Sequence, residues 1–206
     1  MNKNSFRVLF SGFIFIMLIS QIVSADTTLE WNKRIHKKDI TVWTRNVEGY
    51  KVDSYRGQTD FDFPIEAVYQ RLTNLEGFPD WVQGQKEFEI LKDEEDSGEY
   101  YSVISAPFLR DRDIVMAIKS RPPGIDGTAF VEHRAIQGNR PLQRNTIRVT
   151  DYHETWNLIK LSDSRTRATM EVLFDPGGNL PVKVINWLVA QGSYEALQTM
   201  IKDLGE

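Results

Sequence analysis

The alternation of apolar and polar positions divides the chain into a series of strands bracketed by helical segments. Residues 40–47 alternate and are rich in β-branched side chains, which predicts a strand. Residues 51–62 predict a second strand beyond a Glu48-Gly49 turn. Pro64 then opens a helix: its fixed φ suits a first helical position, and Ile65, Val68, Tyr69, Leu72 and Leu75 recur at helical spacing. A short irregular or helical piece at 77–82 carries Phe78 and Trp81. Strands are predicted at 86–92, 100–106, 113–121, 128–136, 146–161 and 166–174. The acidic run Asp93-Glu94-Glu95-Asp96 with Gly98 predicts a hairpin turn, and most other connections are also of hairpin length, so the sheet is expected to be antiparallel. Residues 27–39 are polar, with Trp31 and Ile35 four apart, and predict a short helix.

After Asp175-Pro176-Gly177-Gly178, Pro181 opens a final helix running to about Leu204. Ile185, Trp187, Val189, Tyr194, Ala196, Leu197, Met200 and Ile201 share a broad apolar face, opposite Gln191, Glu195, Gln198 and Lys202. That face is wider than the stripe of an ordinary surface helix, so it must lie across something equally apolar. The expected fold class is α+β: a curved antiparallel sheet wrapped around a long C-terminal helix, with a smaller helix between the second and third strands. A sheet wrapped on one helix leaves a concave interior that is either packed solid or holds a ligand.

The composition is that of one globular domain: 206 residues, 41% hydrophobic and 26% charged. Residues 1–25 contain Lys3 and Arg7 and no acid, followed by a mostly apolar run and Val23-Ser24-Ala25, the pattern of a secretory signal peptide. The mature domain would span residues 26–206 and work outside the cytoplasm, in a periplasm or secreted. An uncleaved anchor is the weaker reading, because the apolar run is short for a membrane span. Without the signal the chain has 23 basic and 29 acidic residues, a charge of −6. That argues against nucleic-acid binding and against broad adsorption to anionic membranes, while leaving room for a transient membrane contact through a local patch. The absence of Cys excludes disulfides, thiolate metal sites and Cys nucleophiles.

No catalytic set stands out. Asp151 and His153 would share one side of a strand and form an acid–base pair, although such pairs on a sheet are more often structural. The acidic run resembles the start of an EF-hand loop, but Ile104 falls where a bidentate Glu is required, so no metal site is expected. Arg112 either pairs with its neighbours or points inward as a polar anchor. Glu132, Arg134, Arg148 and Glu154 also lie on otherwise apolar strands, and an outward orientation is favoured for them. If one Arg and one Glu face inward they must pair, since an unpaired buried charge costs several kcal/mol. The loop at 137–145 is longer than a simple hairpin connection and reads either as a surface loop or as a lid over the cavity.

Taken in order, Phe63-Pro64 to Trp81, Pro107-Phe108 with Asp111-Arg112-Asp113, Ile147-Arg148 followed by Trp156, and Asp175-Pro176-Gly177-Gly178-Asn179-Leu180-Pro181 leading into Val184-Ile185-Asn186-Trp187 resemble the START family, the lipid-transfer branch of the helix-grip superfamily. The resemblance covers about residues 40–204. It implies a sheet of nine or so strands, a lipid-sized tunnel, and the final helix and the 137–145 loop as its gate. Some sterol-binding members carry an Arg where this chain has Ile118, which leaves Arg112 or Arg148 as polar anchors.

The expected function is non-catalytic binding, with transfer, of a lipid or other hydrophobic small molecule, by a monomer without cofactor. Strand parity and the resemblance place Trp81, Phe88, Val103, Arg112, Met116, Phe130, Arg148, Tyr152, Trp156, Met170, Val172, Ile185 and Val189 around the ligand. The alternative is an enzyme resembling the aromatase/cyclases of the same superfamily, acting on a hydrophobic substrate in the same cavity. An export signal counts against it, because polyketide synthesis is cytoplasmic. A module with a collapsed cavity is a third, weaker reading.

Overall fold

Period-two burial runs through the strands of a computed structural model that describes residues 30–82, 84–105, 110–179 and 181–205. The elements in chain order are β1 (Asn32–Lys37), β2 (Ile40–Arg45), β3 (Ser54–Phe61), α1 (Ile65–Thr73), α2 (Phe78–Trp81), β4 (Gln85–Glu94), β5 (Ser97–Ile104), β6 (Asp111–Arg121), β7 (Thr128–Ala135), β8 (Thr146–Arg148), β9 (Tyr152–Ser162), β10 (Arg165–Phe174) and α3 (Val182–Leu204). One sheet runs β1-β2-β3-β10-β9-β7-β6-β5-β4, antiparallel throughout, with β8 added parallel to β6. The signal-like segment lies outside the described residues, as do Pro107, Phe108 and Leu180.

Two elements differ from the sequence expectation. The polar stretch expected to form a helix is β1, paired to β2 through the two-residue turn Lys38-Asp39, where both residues have positive φ, 50° and 61°. That backbone matches the twist of a two-residue hairpin, and sheet pairing outweighs a weak helical spacing. The single strand expected at 146–161 is split into β8 and β9. Arg148 pairs with Asp113, and the Val149 amide donates to the Asp113 carbonyl at 2.9 Å, so the chain first follows β6 and only then crosses to β10.

The two faces of the sheet have different tasks. On β5, Tyr100, Ser102 and Ile104 face the interior, while Tyr101 and Val103 join Val115 and Ile136 in a small cluster on the outer face. The 137–145 loop covers that outer cluster. The Arg140 guanidinium lies 4.1 Å from the Tyr101 ring centroid and pairs with Glu89, and Gln143 donates to Glu87 at 2.8 Å. Arg148 donates to the fully buried Asp113 at 2.6 Å and to the carbonyls of Arg140 and Pro141. The loop is therefore tied to the outside of the sheet. The expectation of a lid over the interior is corrected.

The interior grips α3. Gly57 on β3 is what lets the helix seat: a Cβ there would lie 2.8 Å from Leu197 Cδ1. Leu197 and Met200 are fully buried on this contact. Trp187, assigned to the apolar face from the sequence, is 64% exposed, because it lies about 200° around the helix from buried Ile185.

Two groups inside this frame generate pH-dependent expectations. Asp60 on β3 accepts a two-pronged pair from Arg167 on β10, at 2.7 and 3.0 Å, with Arg165 at 3.3 Å. The hydrogen bond from Arg167 holds its carboxyl below the usual Asp range. A depressed carboxylate adds stability above its unfolded pKa, and that stability is lost as pH falls through the folded value. Asp60→Asn is expected to lower the unfolding free energy by about 1–2 kcal/mol at neutral pH, with the gap closing below about pH 4, read by denaturant titration at several pH values. His133 on β7 is 1% exposed, its Nδ1 lies 3.0 Å from the Tyr100 hydroxyl, and its Nε2 has no partner among the described residues. Burial pushes its pKa down. The unfolded chain then binds the proton more readily, so stability must fall as pH drops below about 6.5. Thermal melts of the wild type should show that slope, and His133→Gln should flatten it.

Candidate functional site

The sheet closes on the C-terminal half of α3 and stands off from the N-terminal half. Between them lies a cavity of about 360 Å³. The helix side is made by Ile185, Leu188, Val189, Gly192, Ser193 and Ala196, and the small residues of that group leave the space. The sheet side is made by Tyr55, Tyr100, Ser102, Ile104, Ile114, Met116, Tyr152, Met170 and Phe174. Phe78, Trp81 and Val82 from α2 and its end close one side, and Val149 and Pro176 come from the loops.

Among the described residues, an Arg and a Glu face this apolar space. Arg112, at the start of β6, is held by backbone carbonyls: Nε donates to Pro176 at 3.3 Å and Nη1 to Arg110. Its Nη2 is buried without a partner among the described residues. Burial, with the neighbouring Arg110 charge, lowers its pKa. Glu154, near the start of β9, accepts from the Tyr152 hydroxyl and from Trp156 Nε1, two residues away on either side and on the same face. Tyr55 and Ser193 line the same cavity beside Tyr152, which extends this polar strip to α3. Burial first, and the Glu154 charge second, push the Tyr100 and Tyr152 phenols well above their ordinary value, so both stay protonated donors.

The structure brings Trp81, Arg112, Met116, Tyr152, Met170, Ile185 and Val189 together in the cavity wall. Trp156 and Val172 are buried just behind it, Trp156 edge-on to Trp81 at 6.3 Å. Phe88 stacks on Phe78 at 5.7 Å, one layer away from the cavity. The remaining three are on the other face. Val103 belongs to the outer cluster, half-buried Phe130 alternates with inward Ala129 and Val131, and Arg148 follows inward Ile147 and turns out to Asp113. Arg148 is therefore a tie for the outer loop and not an anchor inside the cavity.

Glu154 was expected to point outward and points in. Arg112 and Glu154 both face inward yet do not pair, against the expectation that an inward Arg and Glu must meet. The signal that could have found Glu154 is its place between Tyr152 and Trp156, which supply both of its hydrogen bonds. Asp151 and His153 do not form an acid–base pair: Asp151 accepts from Tyr50 at 2.8 Å, and His153 Nε2 lies 2.6 Å from Glu132. Among the described residues no group of three His, Cys, Asp or Glu is placed to hold a metal ion.

The fold that carries this cavity is shared with known proteins. A crystallised STAR-related lipid transfer protein from Xanthomonas axonopodis superposes with a TM-score of 0.78 at 24% identity, over 85% of this chain and 99% of that one. Human StAR-related lipid transfer protein 5 superposes at 0.75 and 18% identity, over 88% of each chain. The Zhui aromatase/cyclase from Streptomyces sp. R1128 superposes at 0.57 and 13% identity, over 74% of this chain and 93% of that one. These likenesses establish the helix-grip fold. An uncharacterised protein of Pseudomonas aeruginosa is 25% identical over 170 residues, 82% of this chain and 84% of its own. The family model described as polyketide cyclase / dehydrase and lipid transport matches residues 61–201. That match runs from the end of β3 through nearly all of α3 and takes in most of the cavity wall, so the chain belongs to the polyketide cyclase / dehydrase and lipid transport family, in its START-like form.

Proposed function

We propose that the protein is a non-catalytic carrier that binds a lipid or other apolar small molecule beneath the N-terminal half of α3 and transfers it. The observation that carries this reading is the cavity itself: its wall is mostly Met, Ile, Val and aromatic carbon, and among the described residues it contains no Ser, Thr or Lys set beside a base as a nucleophile. Each methylene removed from water contributes about 0.8 kcal/mol, so a long acyl chain gains enough by burial to be held without chemistry.

The gate of this carrier is the N-terminal end of α3. Gly177 and Gly178 precede it with φ of 63° and 76°, a backbone suited to glycine, and Pro181 caps it without a side-chain hydrogen bond. Exposed Val182, Val184 and Trp187 lie on the same stretch and suit a brief contact with a membrane during loading. With the signal-like residues 1–25, the reading is of an exported monomer working between membranes. The cyclase alternative draws on Glu154, a carboxylate in the cavity wall beside tyrosine donors. Turnover of a hydrophobic substrate in place of simple retention would select it.

Mass spectrometry of organic extracts from the natively purified protein is expected to yield a stoichiometric apolar molecule, and a fluorescent acyl probe is expected to bind below about 10 μM; absence of both sinks the carrier reading. Gly192→Phe provides a sharper check, because a Cβ at Gly192 meets nothing within 4 Å. The added ring should fill the cavity and weaken probe binding at least tenfold, while thermal stability holds or rises as a helical glycine is removed. Trp187→Glu should slow probe transfer between vesicles several-fold and leave equilibrium binding unchanged, as read in paired transfer and titration assays.

A further inference from the structure

Glu154 is a carboxylate facing an apolar cavity, and among the described residues no Lys, Arg or His forms an ion pair with it. An ionised carboxylate offers about four acceptor positions, of which Tyr152 and Trp156 take two. Removing such a group from water without full satisfaction is costly, so the remaining capacity is chemically significant. Arg112 presents the complementary case: a buried guanidinium nitrogen with no acceptor among the described residues. Each would satisfy the other if they met.

The register keeps them apart. Glu154 pairs with His133, and His133 pairs with Ile118 on β6. Arg112 lies six positions from Ile118 along the same strand, roughly 20 Å at the rise of a β-strand. The Pro176 carbonyl that Arg112 bonds is four positions past Val172, the partner of Glu154 on β10, which is again about 13 Å. Between the two charges the wall is mostly apolar, with Met116, Met170, Ile185 and Val189, and is broken by the Tyr152 and Tyr55 hydroxyls.

We infer that the ligand has two polar ends: an anionic head held by Arg112 at the rim and a hydrogen-bond-donating group, such as a hydroxyl, held by Glu154 at the far end, with an apolar body between. The chemical class is a hydroxylated apolar acid. This assignment rests on the carrier reading and adds to it the polarity of both ends. It also reverses an ordinary rule. In a purely apolar cavity a terminal hydroxyl weakens binding, because it must leave water unpaired. Here the hydroxyl meets a waiting acceptor.

The test compares dodecanol, dodecanoic acid and ω-hydroxydodecanoic acid as competitors of a fluorescent acyl probe on the full protein. On the wild type the hydroxy acid should bind at least about fivefold more tightly than the plain acid. Glu154→Leu should abolish or invert that preference, weaken dodecanol with it, and leave dodecanoic acid binding intact. Arg112→Met should weaken both acids about tenfold and spare dodecanol, so that each variant keeps one unaffected competitor that shows it remains folded. If the wild type binds the plain acid as tightly as the hydroxy acid, or if the Arg112→Met variant treats acids and alcohol as the wild type does, the two-ended assignment is overturned while the carrier reading survives. If none of the three competes and the probe itself does not bind, the carrier reading fails and this assignment fails with it.

Discussion

The contact between Gly57 and Leu197 sets the rest of the architecture. Without a side chain on β3 at that point, the C-terminal half of α3 sinks onto the sheet, and Leu197 and Met200 lose all contact with water. A 23-residue helix is too long to be held in this way along its whole length by a sheet that curls around it. One end is clamped and the other bridges a hollow. The small residues Gly192, Ser193 and Ala196 face that hollow, so the helix does not fill what the sheet leaves open. The binding space is a consequence of where the helix is anchored.

Charge is distributed with the same asymmetry. On the outer face several charges pair with one another: Arg148 with Asp113, Arg140 with Glu89, Arg134 and His153 with Glu132. The Arg140–Glu89 pair, and Arg148 through the Arg140 and Pro141 carbonyls, hold the 137–145 loop against that face. On the inner face Arg112 and Glu154 are held in place by carbonyls and by neighbouring Tyr and Trp donors, but each keeps unused hydrogen-bonding capacity. Those two inner groups therefore offer hydrogen-bonding capacity where a guest molecule would meet it.

Much of the frame was legible from periodicity. Alternation located most strands to within a few residues, helical spacing found α1 and α3, and the Asp-Pro-Gly-Gly segment marked the join between sheet and helix. The order of these pieces was enough to recognise the helix-grip arrangement. The parts that were not legible share one cause: local pattern is silent about which partner a segment chooses. The polar stretch before Ile40 has no strong pattern of its own and becomes β1 only because β2 is there to pair with it. The stretch after Asn145 reads as one strand, yet divides where Arg148 meets Asp113.

The site shows the same boundary at the level of single side chains. Alternation says that Tyr152, Glu154 and Trp156 share a face, and that Ile147 and Arg148 do not. It does not say which face is the inside, because a strand flanked by charge on both sides satisfies either assignment, and that is why Glu154 was read as outward and Arg148 as a possible anchor. The sequence by itself determined the α+β class, the curved antiparallel sheet, the long apolar helix and the apolar character of whatever that helix covers. Only the tertiary structure decided that the hollow lies under the N-terminal half of α3, that the long loop belongs to the outside, and that an Arg and a Glu face the interior without meeting. The physical reason is that hydrophobic burial is read from residue type and spacing along the chain, whereas the direction of a buried charge depends on cross-strand partners that the chain brings together only when it folds.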